Sequence, residues 1–281
     1  MIPAEFDYTA PESLQDAISA LSQGGEDAKL LAGGHSLIPL MKLRLAAPSL
    51  LIDMRKVPGL AGIERENGSW RIGALTHHTE LEHTVELGLI AQAAGTIADP
   101  QVRNRGTIGG SLAHGDPAAD LPAVMMVCDA TVTLQGPGGQ RTVAAGELFK
   151  DYLETAVAPD EVLTEIRFPA LDGWGYDYQK FNRRSEDWAM VAVSVVVKKS
   201  GDTCEDVRVG LTNMSSVPLR ATAVEEALRG QSLSAANIAK AAEQAAEGTD
   251  PPGDLNASPE YKRHLARVLT RRALEQASGG A

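Results

Sequence analysis

The stretch LAGGHSLIPL (Leu31–Leu40) runs from an apolar segment into two adjacent glycines, and TIGGSLAHGD (Thr107–Asp116) repeats the pattern. An apolar strand that enters Gly-Gly can turn sharply, because glycine accepts backbone angles that a side chain excludes. Such a turn leaves successive N–H groups pointing outward, where they hold an anion. Two turns of this kind suit the two phosphates of one pyrophosphate. Two unrelated tight turns are the alternative, because Gly-Gly turns are common.

Neither stretch matches the common nucleotide motifs. No Lys-Ser or Lys-Thr follows the glycines, and the spacing G-x-G-x-x-G is absent from both. The formal net charge of −11 repels a phosphate, so neutral N–H dipoles are the better donors here. The Lys and Arg residues are mostly scattered, which argues against nucleic acid as a partner.

Composition predicts a globular protein with two reduced thiols. The chain has 281 residues, of which 43% are hydrophobic, enough to bury a core. The strongest apolar run, Ala189–Val197, is too short to span a membrane, and the start shows no leader pattern, so we expect a cytoplasmic protein. Cys128 and Cys204 have no metal-ligand spacing, and an iron–sulfur cluster needs four ligands. We therefore expect any cluster to lie on another chain.

Periodicity divides the chain into three parts: 1–55, 56–174 and 175–281. In the first part, Thr9 and Glu12 form a capping-box pattern before a helix, and two short apolar strands follow, which predicts a parallel βαβ unit. The second part mixes helices with alternating strands: helical spacing covers 80–98, and a hairpin is predicted over 130–145. The third part begins with strands and ends in Ala-rich helices, with Ser258-Pro259 as a helix start. These patterns predict an α+β chain.

Four longer segments carry a resemblance to a known family. They are AGGHSLIPLMKLRLAAPSLLIDM, RNRGTIGGSLAHGDPAADLPAV, YQKFNRRSEDWAMVAVSV and SPEYKRHLARVLTRRAL. Together they resemble the FAD-binding medium subunit of molybdenum hydroxylases, the group of carbon monoxide dehydrogenase and xanthine dehydrogenase. The resemblance covers nearly the whole chain. It implies a PCMH-type FAD-binding fold of two α/β subdomains followed by a C-terminal antiparallel sheet plus helical bundle.

The resemblance also implies that both glycine stretches bind one FAD. The first would contribute Ala32, Gly33, Gly34, His35, Ser36 and Leu37, and the second Thr107, Ile108, Gly109, Gly110 and Ser111. We expect backbone N–H groups of both stretches, with the hydroxyls of Ser36, Thr107 and Ser111, to hold the phosphates. Ala32 and Ile108 are expected to pack rather than bind.

Five further positions match the family motifs. Asp120 matches an acid that hydrogen-bonds the polar chain of the flavin, whereas Asp116 does the same or fixes the turn before a proline. On residue type alone, both aspartates read as turn residues. The segment around Leu163 would turn its backbone to the isoalloxazine edge, and the ring of Tyr178 would lie against the flavin. Lys180 either hydrogen-bonds flavin or is a surface charge.

The histidines do not form a metal motif. His77, His78 and His83 lack the pattern H-E-x-x-H, so we expect surface or capping roles for them. His35 would add shape or a polar contact to the flavin site. No metal ligand is predicted in this chain.

The resemblance implies an electron-transfer subunit rather than a catalytic one. In this family a large subunit carries the molybdenum cofactor, a small subunit carries two [2Fe-2S] clusters, and FAD receives the electrons, within a heterohexamer of two trimers. The final acceptor stays open among NAD, a quinone and oxygen. Two alternatives remain: a self-contained FAD-dependent oxidase, for which the motifs supply no evident base, and a flavin-free interaction module, against which the intact glycine turns argue.

Overall fold

The N-terminal part contains a three-stranded parallel sheet. The computed structural model describes residues 2–279. The elements of this part are β1 (Asp7–Thr9), α1 (Leu14–Gly24), β2 (Ala28–Leu31), α2 (Leu37–Lys42) and β3 (Leu50–Asp53). The strands lie in the order β1-β3-β2, and α1 packs on β2 and β3. The predicted βαβ unit is present, with β1 as an additional strand.

Helix α1 begins later than its predicted capping box. Thr9 lies in β1, and Ser13 caps the helix by accepting the Asp16 N–H at 3.1 Å. Ala17, Ile18 and Leu21 form its buried face. The pairing of β1 with β3 takes Thr9 into the sheet, and the helix then starts at the next residue that can cap it.

The middle part is built on a five-stranded antiparallel sheet with the order β4-β5-β10-β6-β7. Its strands are β4 (Ile63–Glu66), β5 (Ser69–Gly73), β6 (Thr131–Gly136), β7 (Gly139–Ala144) and β10 (Val162–Pro169), and a separate hairpin is formed by β8 (Phe149–Asp151) and β9 (Glu154–Thr155). The predicted hairpin is β6 and β7, paired from Thr131 with Ala144 to Gly136 with Gly139.

Six short helices belong to this middle part: α3 (His78–His83), α4 (Leu89–Gly95), α5 (Pro100–Arg103), α6 (Ile108–His114), α7 (Asp120–Val127) and α8 (Ala145–Leu148). The sequence predicts one helix over 80–98, whereas the structure breaks it between α3 and α4. The break includes Gly88, which has φ +58°, a conformation that glycine adopts without strain.

The C-terminal part is a four-stranded antiparallel sheet followed by helices. Its elements are β11 (Gly175–Phe181), β12 (Val191–Ser200), β13 (Thr203–Thr212), β14 (Leu219–Arg220), α9 (Thr222–Leu228), α10 (Ala235–Ala242) and α11 (Pro259–Ala277). Helix α11 starts where predicted, because Ser258 accepts the Tyr261 N–H and Pro259 occupies the first turn. It packs on β11 and β12. No helix within residues 2–279 has the length and apolar character needed to cross a membrane.

Helix α7 joins the middle part to the C-terminal sheet. All its residues except Met126 are buried, and it packs on β12 and β13. The helix and the sheet approach closely at Gly210, where an added Cβ would lie 2.5 Å from Ser194 Oγ, 2.7 Å from Val127 Cγ2 and 2.8 Å from the Ala123 carbonyl oxygen. Glycine at this position therefore lets a buried helix lie directly on the sheet.

Replacing Gly210 with Ala should destabilise the protein. The added methyl group forces the helix and the sheet apart, and overpacking of this kind costs roughly 1–3 kcal/mol of unfolding free energy. Urea denaturation of the full chain measures the change. Gly146→Ala is the matched control, because an added Cβ there meets nothing within 4 Å and Gly146 lies in α8, where Ala is favoured. Equal stability of the two variants would contradict close packing at Gly210.

Candidate functional site

A cleft of about 700 Å³ has both glycine stretches in its wall. This volume lies within the range of roughly 300–1,000 Å³ found for small-molecule and cofactor sites. Most of the residues expected to bind FAD line the cleft: Ala32, Gly33, Gly34, His35, Ser36, Leu37, Thr107, Gly109, Gly110, Ser111, Asp120, Leu163 and Lys180. Three others, Ile108, Asp116 and Tyr178, are not part of its wall.

Glycines of both stretches allow close backbone contacts, Gly33 with the residues just before the second stretch and Gly109 with the residue that follows β5. A Cβ at Gly33 would clash with the Arg105 carbonyl oxygen and lie 2.8 Å from Gly106 Cα. A Cβ at Gly109 would lie 2.7 Å from the carbonyl oxygen of Ala74, which accepts the Gly109 N–H at 2.8 Å. Both glycines are therefore required by close packing, although neither has a positive φ.

The first stretch supplies free backbone donors. In the described part of the chain, the N–H groups of residues 33–36 meet no acceptor within hydrogen-bond distance. Gly34 has φ +79°, which turns the chain sharply before α2. Unpaired N–H groups at such a turn can hold an anion, and anion binding by this stretch stays a prediction.

The second stretch does not repeat this arrangement. The Ile108 N–H donates to the Thr76 carbonyl oxygen, and the N–H groups of Gly110 and Ser111 donate to Thr107. The expectation of two equivalent turns with free N–H groups is therefore not met, because residues 108–111 form the capped first turn of α6. Two hydroxyl-bearing residues of this stretch, Thr107 and Ser111, line the cleft.

Asp120, Tyr178 and Lys180 form a buried hydrogen-bonded group. Tyr178 Oη donates to Asp120 Oδ1 at 2.6 Å, and Lys180 Nζ lies 3.0 Å from Asp120 Oδ2. Burial raises the pKa of the Asp120 carboxyl, and the Lys180 ammonium and the Tyr178 hydroxyl oppose that shift. The pKa of Tyr178 is also raised well above its usual value. Burial is the main cause, and the adjacent Asp120 raises this pKa further. Lys180 is therefore one partner of a buried ion pair rather than a surface charge.

The three residues outside the cleft wall have other roles. Tyr178 is only 5% exposed and packs in the hydrophobic core, so its ring does not lie along the cleft as the sequence motif led us to expect. The Asp116 carboxylate accepts the Ala118 N–H at 2.8 Å, which fixes the turn before α7. Ile108 is fully buried and packs, as expected.

Leu163 lies where a strand edge is open. Strand β10 pairs with β5 only from Glu165 to Pro169, whereas its pairing with β6 begins at Val162. Residues 162 and 163 therefore have no β5 partner, and both line the cleft. The open edge leaves backbone groups there without a strand partner, and their contact with the flavin stays a prediction.

Sequence reasoning missed several residues of the cleft wall, among them Trp188 and His78. Trp188 is 56% exposed and lies in the connection between β11 and β12. Of the paired histidines, His77 caps α3 as expected, but His78 is buried, and its Nδ1 meets no hydrogen-bond partner. Burial lowers the pKa of His78 to about 4, and His77, Arg103 and His35 add to the effect.

The donors of the cleft fit FAD. Free N–H groups and hydroxyls near the glycines suit a pyrophosphate, and the open strand edge and the Trp188 side chain suit a planar ring. Within residues 2–279, no group of His, Cys, Asp and Glu side chains is arranged to hold a metal ion. The residues present thus match a dinucleotide.

Replacing Gly110 with Val should weaken FAD binding. A Cβ there would lie 2.8 Å from Thr107 Oγ1 and 3.6 Å from Ala32 Cβ, so the branched side chain enters the space between the two stretches. We expect the dissociation constant for FAD to rise at least tenfold, about 1.4 kcal/mol, in a flavin fluorescence titration. Gly138→Val is the control, because that site is open. Unchanged affinity in a folded Gly110→Val protein would place FAD elsewhere.

Protonation of His78 should destabilise the protein in acid. The folded chain protonates His78 only near pH 4, whereas the unfolded chain does so near pH 6.5, so stability falls as the pH drops from 6.5 to 4. This loss is roughly 2–3 kcal/mol by pH 4.5. Urea denaturation at pH 7 and pH 4.5 should show a smaller loss for His78→Gln than for the parent. His83→Gln, at an exposed position, serves as control and should keep the full loss.

Comparisons with known proteins identify the family of this chain. A family model described as an FAD binding domain in molybdopterin dehydrogenase matches residues 4–171, and one described as a CO dehydrogenase flavoprotein C-terminal domain matches residues 176–277. The carbon monoxide dehydrogenase medium chain of Hydrogenophaga pseudoflava is 43% identical over 282 residues, covering 99% of this chain and 98% of that protein. The 6-hydroxypseudooxynicotine dehydrogenase complex subunit alpha of Paenarthrobacter nicotinovorans is 39% identical, with 99% and 96% covered.

A solved structure shows the same fold. In a carbon monoxide dehydrogenase from Hydrogenophaga pseudoflava that lacks the Mo-pyranopterin moiety of its cofactor, one chain matches this one with a TM-score of 0.97 at 44% identity, over 100% of both chains. The cleft, the two family models and this likeness lead to one conclusion: the chain belongs to the family of FAD-binding medium subunits of molybdenum hydroxylases.

Proposed function

We propose that this chain is the electron-transfer subunit of a heterotrimeric molybdenum hydroxylase. It binds FAD in the cleft, receives electrons from two [2Fe-2S] clusters on a small partner subunit and passes them to a final acceptor. The observation that carries the proposal is the set of free N–H groups at residues 33–36, which lies in the same cleft as the hydroxyls of Thr107 and Ser111.

The residues of the cleft bind and orient the cofactor. Bound FAD supplies the exchange of electrons, which suits a site between partner centres and an acceptor. The N–H groups of residues 33–36 and the Ser111 hydroxyl hold the pyrophosphate. The open edge of β10 at Leu163 and the side chain of Trp188 border the ring and limit access of water to it.

The substrate of the complex is oxidised on a large partner subunit that holds the molybdenum cofactor. Two relatives support this division: their printed names refer to a medium chain and to a subunit of a complex, and they name different substrates although both resemble this chain over 99% of its length. The two cysteines of this chain, Cys128 and Cys204, are both buried and too few for two clusters with four ligands each. The clusters are therefore assigned to the small partner.

Purification of the tagged chain from its source cells should recover a complex. We expect a large and a small subunit in equal ratio with this chain, together with molybdenum, iron and FAD, by mass spectrometry, elemental analysis and absorption. Cells that express an unrelated tagged protein control for adventitious capture. Recovery of a yellow, metal-free chain by itself would contradict the proposal and favour a self-contained flavin oxidase, whereas a colourless chain would favour an interaction module.

A further inference from the structure

One segment of the cleft wall contains a residue in an unusual backbone conformation. The segment covers residues 97–106, of which Ile97, Ala98, Val102 and Gly106 line the cleft. Ala98 has φ +43°, in the left-handed region that the Cβ of an L-residue makes unfavourable. Such a conformation persists only where the surrounding structure holds it, and residues of this kind are concentrated at ligand sites. This wall segment therefore needs an interaction that fixes Ala98.

The side chain of Arg103 provides that interaction. Its Nη1 donates to the carbonyl oxygen of Ile97 at 2.9 Å and to that of Ala98 at 3.4 Å. A charged donor makes stronger hydrogen bonds than a neutral one, and the side chain is only 12% exposed, so water competes little for them. The two carbonyls belong to the peptide groups on either side of the Ala98 Cα. Arg103 thereby fixes both backbone angles of Ala98.

Helix α3 holds the guanidinium group of Arg103 in place. Arg103 Nε donates to Glu82 Oε2 at 2.7 Å, and Glu82 lies in this helix. The same helix begins at His78, whose N–H donates to the Gly106 carbonyl oxygen at 3.0 Å. The wall segment is therefore bound to α3 at its start through Arg103 and at its end through Gly106.

The end of the wall segment is also the backbone against which the first glycine stretch packs. An added Cβ at Gly33 would lie 2.8 Å from Gly106 Cα. Hydrogen bonds join the rest of the segment to this point: the Arg103 N–H donates to the Asp99 carbonyl oxygen at 3.0 Å, and the Gly106 N–H donates to that of Val102 at 2.7 Å. A change at Ala98 is thus transmitted to the backbone beside the free N–H groups of residues 33–36.

We propose that Arg103 is a positioning residue of the cofactor site, which holds Ala98 in the left-handed conformation and so sets the part of the cleft wall on which the first glycine stretch rests. This inference rests on the proposed binding of FAD in the cleft. Arg103 itself is not among the described residues that line the cleft, so it acts on the cofactor through the backbone of the wall segment.

Arg103→Gln removes the charged fork and should weaken FAD binding. The dissociation constant is measured by flavin fluorescence on the flavin-depleted complex that the tagged chain recovers, and we expect a rise of roughly tenfold or more. Arg220→Gln is the matched control, because Arg220 donates to Glu225 at 2.6 Å and to the Met126 carbonyl oxygen at 3.3 Å, outside the cleft wall. This control should lower the melting temperature and leave the dissociation constant within about twofold of the parent value.

Ala98→Gly separates positioning from a general loss of stability. Glycine adopts a φ of +43° without strain, so a wall segment with glycine at this position depends less on Arg103. We expect Ala98→Gly to bind FAD as the parent does. The double variant, Ala98→Gly with Arg103→Gln, should regain most of the affinity that Arg103→Gln loses, and the double-mutant cycle measures this coupling. A merely structural role of Arg103 would not be repaired by removing a methyl group at residue 98.

Arg103→Lys keeps the proposal testable if Arg103→Gln does not fold. An ammonium group lacks the planar fork, so it cannot bind Glu82 and both carbonyls together, and we expect a smaller rise in the dissociation constant than in Arg103→Gln. Parent affinity in every folded Arg103 variant would overturn the proposal. Equal weakness in Arg103→Gln and in the double variant would also overturn it, because Arg103 would not act through Ala98. A parent chain that takes up no FAD would instead overturn the proposed function.

Discussion

The cleft depends on one close approach between backbones that are distant in sequence. Gly33 lies against the Arg105–Gly106 backbone so closely that any side chain at that position would collide with it. This contact holds the first glycine stretch, which follows the parallel sheet, next to the second, which opens α6. The glycine is needed for the absence of a Cβ and not for an unusual φ. The conformational freedom of glycine is used one residue later, at Gly34.

The two glycine stretches have similar sequences but differ in the hydrogen-bond donors that they leave free. The first ends in a turn with free N–H groups, whereas the second enters a helix whose cap and neighbours use the corresponding N–H groups. An acidic chain of net charge −11 can in this way bind an anion, because the donors that lie close to the anion are neutral N–H groups. The buried ammonium of Lys180 adds a single cation, compensated by Asp120, at another part of the wall.

Helix α7 connects the cleft wall to the C-terminal sheet, and both ends of the helix contact side chains of that sheet. Its first residue, Asp120, is held by side chains of β11, and its last turn receives hydrogen bonds from Arg208 to the Val127 carbonyl and from Arg220 to the Met126 carbonyl, both at 3.3 Å. Arginine at the C-terminal end of a helix satisfies carbonyl groups that have no partner within the helix. The helix is thus apolar on nearly all sides because it is enclosed between two layers. The C-terminal sheet contributes to the cleft by holding Asp120, the first residue of this helix.

The sequence by itself determined the features that local chemistry controls. The hairpin of β6 and β7, the start of α11 at Ser258, and the sharp turn at Gly34 follow from alternation, capping and glycine, all of which act over a few residues. The resemblance of the motifs extended this reasoning to the family and to most of the cleft wall. Only the tertiary structure decided that Tyr178 faces Asp120 rather than the cleft and that His78 is buried. Tyr178 and Asp120 are 58 positions apart, and whether such groups meet, lose water or find a partner depends on how separate elements pack, which no local pattern records.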